Sequence, residues 1–276
     1  MTVIAVTNQK GGVGKTTTAV NLAASLAARD QRVLLVDLDP QGNATMGAGI
    51  DKNALEHTVY DMLINEASPE SLIKRSEEAG IDVLPANADL TAAEVELLTA
   101  TGKEKKLRYA LLRLAPKYDQ ILIDCPPSLN MLTVNALVAA DGVLIPVQCE
   151  YYALEGLSSL IDTVARVQMV LNPGLRIEGL LRTMHDSRNT LTNEVSMQLI
   201  RHFGSKVFNT VIPRNVRLAE APSHGLPALV YDRNSRGAAA YLALAAELLH
   251  KRGKPVSLVK EAGQQNSSES NFEEPR

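Results

Sequence analysis

A glycine-rich stretch near the start of the chain has the residue types needed to bind phosphate. It reads Gln9-Lys10-Gly11-Gly12-Val13-Gly14-Lys15-Thr16-Thr17 and lies between an apolar run, residues 3–6, and a helical pattern, residues 18–28. Glycine lets successive backbone N–H groups turn toward phosphate oxygens, and a helix N-terminus adds unpaired N–H groups and partial positive charge. Lys15 is therefore expected to contact the β- and γ-phosphates, and the Thr16 hydroxyl to bind Mg²⁺.

The motif departs from the usual P-loop pattern at its first position. That pattern, Gly, four residues and Gly-Lys-Ser/Thr, places a glycine where Gln9 stands, and Lys10 adds a second lysine to the loop. Two lysines on one loop repel each other unless phosphate lies between them. We therefore predict that Lys10 reaches the phosphates of a second subunit, as an arginine finger does in trans. The alternative is a solvated loop lysine.

An acidic residue ends another apolar run and is expected to bind the metal ion. Residues 120–124 read Gln-Ile-Leu-Ile-Asp, and Asp124 is followed by Cys125-Pro126-Pro127-Ser128. A carboxylate in this position fits a Mg²⁺ ligand, either directly or through the water molecules of the ion. The alternative is a carboxylate that caps the next helix. Cys125 has no histidine near it in sequence and is predicted to be a small buried residue rather than a nucleophile.

Two further acids, Asp37 and Asp39, flank Leu38 at the end of the apolar run 32–37. On an extended chain, side chains two residues apart point the same way. We predict that the Asp39 carboxylate orients the attacking water, because phosphoryl transfer depends mainly on positioning and charge neutralisation. The alternative for Asp39 is an Asx-turn, which Asp-Pro favours. Asp37 is expected to serve the phosphate-loop threonine or the Mg²⁺ shell.

Strand-like runs alternate with helical patterns, which predicts an α/β fold: a mostly parallel twisted sheet with helices on both faces. In such sheets ligands bind at the carboxyl ends of the strands, so the phosphate loop, the Asp39 loop and Asp124 are expected to converge. Residues 1–252 are predicted to form one domain, and residues 253–276 a polar, disordered tail. The predicted strands cover residues 3–6, 32–37, 81–85, 120–124, 142–147, 177–184 and 207–212. The predicted helices cover residues 18–28, 58–65, 69–75, 90–100, 105–115, 135–140, 154–171, 192–203 and 238–252.

The composition is that of a soluble globular protein. Of the 276 residues, 45% are hydrophobic and 21% charged, and aromatic residues are scarce at 4%. No apolar run approaches the ~20 residues of a membrane span, and the N-terminus lacks the pattern of a secretory signal. The two cysteines, Cys125 and Cys149, provide neither a disulfide framework nor metal-ligand spacing, so a reduced cytoplasmic setting is expected.

Charge is distributed unevenly along the chain. The formal net charge is −3, yet residues 200–252 contain eight basic and three acidic side chains, a local charge of +5. This segment is either a local anion-binding face or a solvated helix surface. Its basic residues are Arg201, Lys206, Arg214, Arg217, Arg233, Arg236, Lys251 and Arg252.

Taken together, these motifs resemble those of the ParA/MinD ATPases. Residues 10–17 are similar to the deviant Walker A motif of that superfamily, and residues 36–45 and 124–128 to its next two motifs. Residues 211–223, Val-Ile-Pro-Arg-Asn-Val-Arg-Leu-Ala-Glu-Ala-Pro-Ser, resemble the chromosomal Soj-type ParA branch in particular. The resemblance extends over nearly all of residues 2–250.

The resemblance implies an ATPase that works as a homodimer with two nucleotides between its subunits. ATP and Mg²⁺ would be bound by the loop from Lys10 to Thr17, with Lys10 acting across the interface and Pro213 and Asn215 at the adenine. ATP-dependent dimers of this kind bind duplex DNA without sequence preference, which assigns phosphate contacts to Arg217 and, with less support, to Arg201 and Lys206.

The resemblance also implies a partner and a place in the cell. A ParB/Spo0J-type centromere-binding protein is expected to stimulate an otherwise slow hydrolysis and so release the DNA during chromosome or plasmid partitioning. The protein is expected to be cytoplasmic and nucleoid-associated. Some relatives carry an N-terminal helix-turn-helix domain that reads operator DNA. That activity is not expected here, because this chain starts at its first strand.

Two alternatives on the same fold remain. A MinD-like switch in division-site placement would end in an amphipathic membrane helix, whereas residues 241–249 read as a core-packing helix followed by polar residues, so no membrane partner is expected. An iron protein of the nitrogenase type would aim two cysteines per subunit at a bridging cluster. Cys125 and Cys149 do not lie in sequence surroundings of that type.

Overall fold

Eight strands form a single sheet in a computed structural model that describes residues 1–254, 256, 257 and 259. The strand order is β3-β4-β2-β5-β1-β6-β7-β8. The strands are β1 Thr2–Val6, β2 Val33–Asp37, β3 Lys74–Ser76, β4 Ile81–Leu84, β5 Gln120–Asp124, β6 Gly142–Gln148, β7 Arg176–His185 and β8 Val207–Pro213. The α-helices are α1 Lys15–Ala27, α2 Asn43–Gly47, α3 Val59–Ile64, α4 Pro69–Leu72, α5 Leu90–Glu96, α6 Lys106–Leu114, α7 Met131–Ala139, α8 Ala153–Val170, α9 Thr190–Phe203, α10 Val216–Glu220, α11 Ala228–Tyr231 and α12 Arg236–Lys251.

The predicted α/β fold with a mostly parallel sheet is confirmed. All neighbouring strands run parallel except β3, which pairs antiparallel with β4 at one edge. The predicted helix over residues 69–75 is wrong in its second half. Helix α4 ends at Leu72, and Arg75 lies on β3, where its guanidinium pairs with the Asp82 carboxylate of β4 at 3.1 Å. The cross-strand pair stabilises the extended conformation of Arg75 more than one further turn would stabilise the short helix α4.

Two apolar layers cover the faces of the sheet. In β1, Val3 and Ala5 pack into the layer beneath α3–α9, whereas Ile4 and Val6 pack into the layer beneath α1 and α12. This alternation follows from the two-residue period of a strand. Both faces of the central strands are therefore buried, which explains their continuous apolar runs.

Helix α12 packs into the core, as the sequence predicted. Tyr241, Leu244 and Leu248 are buried, and the Tyr241 hydroxyl lies 3.1 Å from the Thr18 hydroxyl of α1. The apolar stripe of α12 is therefore used inside the domain, which removes the support for a membrane-binding role of residues 241–249. Within the described part of the chain, no helix has the length and apolar character required to cross a membrane.

The predicted tail, residues 253–276, lies mostly outside the described residues. The short helices α2, α10 and α11 were not predicted, because four or five residues are too few to show a helical period. All three flank the carboxyl ends of the strands, where the candidate site lies.

Candidate functional site

The glycine-rich loop joins β1 to α1 at the carboxyl edge of the sheet. Gly12 and Gly14 have φ of 73° and 85°, values that glycine adopts without strain. Helix α1 starts without a side-chain cap at Gly14, so its first N–H groups remain available to a ligand. The loop is fixed from β7, because the Thr183 hydroxyl donates a hydrogen bond to the Val13 carbonyl at 2.8 Å. This geometry can bind an anion such as a phosphate group.

Lys15 points back along the loop from the first turn of α1. Its ammonium group donates to the Lys10 carbonyl at 3.1 Å, and its side chain is buried. Burial lowers the pKa of Lys15, and the nearby carboxylates of Asp124 and Asp39 act in the opposite direction. A buried ammonium next to open backbone N–H groups is an electrostatic partner for phosphate.

Lys10 is held by the loop that follows β6. Its ammonium group forms an ion pair with the Glu150 carboxylate at 2.8 Å, and its backbone N–H donates to the Asn8 side chain at 3.0 Å. Asn8 in turn donates to the Pro146 carbonyl at 2.8 Å, which ties the phosphate loop to β6. The structure therefore gives Lys10 a partner within its own subunit, which the sequence did not reveal.

Asp124 lies at the end of β5, between the phosphate loop and Asp37 of β2. It is fully buried, and neither carboxylate oxygen has a hydrogen-bond partner within the described structure. Burial, followed by the neighbouring Asp37 carboxylate, raises the pKa of Asp124. Lys15 and the Thr16 hydroxyl, which is close to the carboxylate but does not meet hydrogen-bond geometry, act in the opposite direction. Buried carboxylates normally have partners, so these oxygens fit a cation ligand.

The donor set around Asp124 fits Mg²⁺ rather than a metal that needs a full protein cage. Among the described residues, no group of three or more His, Cys, Asp or Glu side chains is arranged to hold a metal ion. Mg²⁺ is commonly held by one or two carboxylates together with substrate phosphates and waters. Asp124 and the Thr16 hydroxyl would provide the protein side of such a site.

Asp37 has a different role from the expected one at the metal shell. One oxygen accepts from the Asp39 N–H at 3.1 Å, and the other accepts from both the N–H and the hydroxyl of Thr45 at 2.8 Å. The Thr45 hydroxyl also accepts from the Ala86 N–H at 3.0 Å. Asp37 and Thr45 together fix the loop that contains Asp39. Thr45 was not predicted, because its use depends on residues far away in sequence.

Asp39 forms the Asx-turn that was the alternative to its catalytic role. Its Oδ1 accepts from the Gln41 N–H at 2.9 Å, and its carbonyl accepts from the Gly42 N–H at 2.8 Å. Only one carboxylate oxygen takes part in this turn. The side chain acts on the pKa of both Lys15 and Asp124, which places it in the same charged cleft. The turn and a role in positioning water are therefore compatible.

A mainly apolar cavity of about 180 Å³ adjoins the phosphate loop. Pro213 and Asn215 both line it, and Asn215 also caps α10 by accepting from the Leu218 N–H at 3.3 Å. Met184 lines the cavity with φ of 49°, an unusual value for a residue other than glycine. The remaining lining residues are Gly14, Thr17, Ile212, Arg214, Leu218, Ala219 and Tyr241. A cavity of this volume and apolar character beside a phosphate site can accept an apolar ring.

The basic residues of segment 200–252 do not form one face. Arg217 lies on α10 beyond the carboxyl end of β8, paired with Glu220 at 2.9 Å and Asp232 at 3.2 Å. Arg201, near the end of α9, and Lys206 precede β8 and lie at its amino end. The residues expected to bind DNA therefore fall into two groups at opposite ends of one strand.

The phosphate loop, the buried Lys15 and Asp124, and the adjoining apolar cavity together define a P-loop nucleotide-binding protein. The sequence model of a family described as AAA domain matches residues 1–177. The sporulation initiation inhibitor protein Soj of Bacillus subtilis is 56% identical over 246 residues, which cover 89% of this chain and 97% of that protein. The chromosome partitioning protein ParA of Myxococcus xanthus is 53% identical over 255 residues, which cover 92% of this chain and 90% of that protein. The chain belongs to the Soj/ParA family of the ParA/MinD superfamily.

A solved structure supports the same fold. Cobyrinic acid a,c-diamide synthase from Mycobacterium smegmatis, with bound ADP and magnesium, superposes with a TM-score of 0.80 at 38% identity. The match covers 95% of this chain and 100% of that protein.

The two cysteines of the present chain are both buried, and burial raises the pKa of both thiols. Buried, protonated thiols are unsuited to a cluster that bridges two subunits.

Proposed function

We propose that this protein is a partitioning ATPase that binds ATP with Mg²⁺ and hydrolyses it slowly. The observation that carries the proposal is the buried, unpartnered Asp124 carboxylate beside Lys15 and the open phosphate loop. A bound cation would neutralise this buried carboxylate, and phosphate oxygens would accept from the open N–H groups of the loop. A magnesium-bound nucleotide satisfies both. The ADP and magnesium of the mycobacterial structure, and the names of the Soj and ParA relatives, support it.

In this proposal the residues of the loop share the work of binding and hydrolysis. The backbone from Lys10 to Thr17 surrounds the phosphates, and Lys15 neutralises the charge on the β- and γ-phosphates. Thr16 and Asp124 hold Mg²⁺, while Pro213 and Asn215 contact the adenine in the apolar cavity. The Asp39 carboxylate orients the attacking water through the oxygen that its turn leaves unused.

We further propose that ATP brings two subunits together. Lys10 would leave Glu150 and contact the nucleotide of the partner, so that each site is completed by a lysine from the other subunit. The position of Lys10 supports this role, because its ion pair with Glu150 is partly exposed at the carboxyl edge. The paired acid provides a reason why the lysine does not occupy its own phosphate site.

The ATP-bound dimer would bind duplex DNA without sequence preference and release it when a ParB/Spo0J-type protein stimulates hydrolysis. The segment that contains Arg217 is attached to nucleotide-binding elements, which supports such coupling. The Ala228 N–H donates to the Asn21 side chain of α1 at 2.7 Å. The backbone at Gly225 packs so closely against Gly49, which follows α2, that a side chain at Gly49 would lie 3.0 Å from the Gly225 carbonyl. On this proposal the protein is cytoplasmic and nucleoid-associated, with residues 1–252 as the ATPase domain.

Plasmid binding measured with ATP, ADP and no nucleotide tests the proposal. Wild type is expected to bind DNA only with ATP. Lys15→Ala should fail to bind, Asp39→Ala should remain on DNA because hydrolysis is blocked, and Arg217→Glu should dimerise without binding DNA. Lys105→Ala, which removes an exposed lysine outside the loop, is the control. Normal hydrolysis by Asp39→Ala would refute the water-positioning role.

A further inference from the structure

Strand β8 is irregular just before it reaches the apolar cavity beside the phosphate loop. It is in register with β7 where Val207 lies opposite Leu180, and again where Pro213 lies opposite His185. Between these two pairs β7 advances by five residues and β8 by six. Strand β8 therefore contains one residue more than a regular parallel pairing needs, which is a β-bulge.

The irregularity lies at Phe208, Asn209 and Thr210, which we call the β8 bulge. Val211 is the next β8 residue in register, opposite Arg182 of β7. Backbone groups of consecutive residues in a regular strand point to opposite sides. In the β8 bulge the N–H groups of Asn209 and Thr210 both donate to one carboxylate, and the carbonyls of Phe208 and Asn209 both accept from one guanidinium nitrogen. These contacts take the place of the pairing with β7 that the bulge interrupts.

The N–H groups of the β8 bulge are bound by Glu247 of α12. Its Oε1 accepts from the Asn209 N–H at 2.7 Å, and its Oε2 accepts from the Thr210 N–H at 2.8 Å. Burial acts to raise the pKa of Glu247, but the hydrogen bonds from Thr210 and Asn209 outweigh it and lower the pKa. Both carboxylate oxygens are therefore used in charge-assisted hydrogen bonds to the bulge.

The carbonyls of the β8 bulge are bound by Arg182 from the other face of the sheet. Its Nη2 donates to the Phe208 carbonyl at 2.9 Å and to the Asn209 carbonyl at 3.0 Å, and its Nη1 donates to the Ser196 hydroxyl of α9 at 3.0 Å. Arg182 is only 8% exposed, and burial lowers the pKa of its guanidinium. Because burying a cation costs free energy, its contacts with the bulge offset that cost.

The β8 bulge determines which residues of β8 reach the cavity. Residues 212–215, which follow the bulge, all line the cavity beside the phosphate loop. A regular pairing that started from Val207 would place Ile212 opposite His185, where Pro213 lies in this structure. Loss of the bulge would thus move each of these residues by one position, about 3.3 Å along the strand, and turn its side chain to the other face.

Helix α12 connects the β8 bulge to the cavity by a second route. Tyr241, near the start of α12, lines the cavity, and Glu247 lies further along the same helix. The phosphate loop, in contrast, is fixed by the side chains of Asn8 and Thr183, which do not contact the bulge. A change at Glu247 is therefore expected to affect the cavity more than the phosphate loop.

We propose that Glu247 is a positioning residue for nucleotide binding, which keeps the β8 bulge in place against Arg182 and so sets Pro213 and Asn215 at the base. The inference rests on the proposed function, because that function assigns the base to this cavity. The competing interpretation is that Glu247 only satisfies N–H groups of an edge strand and has no effect on the ligand.

The test compares AMPPNP with tripolyphosphate, which has the phosphates but neither base nor ribose, each titrated by calorimetry with Mg²⁺. Glu247→Gln keeps the size of the side chain, but its amide can accept only one of the two N–H groups. The dissociation constant of AMPPNP should rise roughly three- to tenfold, the effect of about one hydrogen bond to the base, while that of tripolyphosphate should not change. Glu194→Gln, which removes an exposed carboxylate from α9, is the matched control and should change neither constant.

A second variant tests the same bulge from the Arg182 side. Ser196→Ala removes the hydroxyl that accepts from Nη1 of Arg182 and leaves Glu247 intact. It should also raise the dissociation constant of AMPPNP without changing that of tripolyphosphate. In both variants the KM for ATP should rise while kcat stays at the wild-type value, because the groups around the γ-phosphate are untouched.

The outcomes separate this inference from the proposed function. Melting curves without nucleotide identify the variants that are folded, and Ser196→Ala decides the question if Glu247→Gln is not. If AMPPNP and tripolyphosphate weaken by the same factor in a folded variant, or if neither weakens, Glu247 has no positioning role and the proposed function stands. If the wild type binds AMPPNP no more tightly than tripolyphosphate, the base does not occupy the cavity and both fail.

Discussion

The ion pair between Lys10 and Glu150 should oppose dimerisation, because the same lysine is proposed to contact the partner's nucleotide. The change that tests this is Glu150→Gln, which removes the charge and keeps the size of the side chain. The amide oxygen introduced by this substitution can still accept the hydrogen bond that Gln148 donates to Oε1 of Glu150 in the native loop. The variant should therefore free Lys10 without unfolding the loop after β6.

The magnitude follows from the exposure of the pair. The side chains of Lys10 and Glu150 are 39% and 49% exposed, with 2.8 Å between nitrogen and oxygen. Partly exposed pairs contribute about 0.2–1 kcal/mol. Breaking the pair once per subunit would then change the dimerisation constant by a factor between about 2 and 30, given that 1.4 kcal/mol is tenfold. Dimerisation with AMPPNP should tighten within this range.

Sedimentation velocity with AMPPNP and Mg²⁺ at low salt measures the effect. The difference between Glu150→Gln and wild type should vanish near 1 M salt, where the screening length is about 3 Å. Glu155→Gln, an exposed acid in the first turn of α8, is the matched control and should not tighten the dimer. The reasoning is refuted if Glu150→Gln weakens dimerisation, or if it tightens dimerisation equally in a Lys10→Met background.

Three further predictions concern the cleft. Asp124→Asn should raise the unfolding free energy without Mg²⁺ by on the order of 1–3 kcal/mol at a pH where the Asp124 carboxyl is ionised, because it removes an unpartnered buried charge, and should abolish the Mg²⁺-dependent stabilisation by AMPPNP. Thr45→Val should lower the unfolding free energy by about 1–3 kcal/mol and slow hydrolysis, since Asp37 and Ala86 each lose a partner. Burial raises the pKa of Asp37 to about 6, so in Mg²⁺-free buffer the unfolding free energy should fall between pH 4 and 6, by up to about 3 kcal/mol from this residue.

The sign of the pH effect follows from proton uptake. Between these pH values the folded state keeps the Asp37 proton and the unfolded state releases it, so the free energy of unfolding falls as pH rises. Chemical denaturation at several pH values measures the slope. Asp37→Asn should reduce the slope, and the part that remains comes from Asp124, whose pKa burial also raises. A slope of opposite sign would contradict the raised pKa. For Asp124→Asn and Thr45→Val, unchanged melting curves would contradict the burial argument.

The sequence was sufficient for the parallel sheet because buried strands between helices leave continuous apolar runs. It was also sufficient for the phosphate loop and the acid at the end of β5, because both follow from residue type at a strand end. It could not show the Glu150 partner of Lys10 or the Thr45 clamp on Asp37. These contacts depend on which loops the strand order brings together. For the same reason, the sequence could not show that the basic residues of segment 200–252 expected to bind DNA lie at opposite ends of β8.

The cleft is organised by unfavourable charge. Asp124 lies beside two further carboxylates, Asp37 and Asp39, and one lysine, Lys15, and it has no hydrogen-bond partner in the described structure. Burying such groups costs free energy, which the apolar packing of the central strands offsets. A magnesium-bound nucleotide that binds only the folded state increases the free energy of unfolding by RT ln(1 + [L]/Kd). This is about 2.7 kcal/mol when the ligand concentration [L] is 100 times Kd. The acids that weaken the free protein are therefore the ones that favour binding of a magnesium-bound nucleotide.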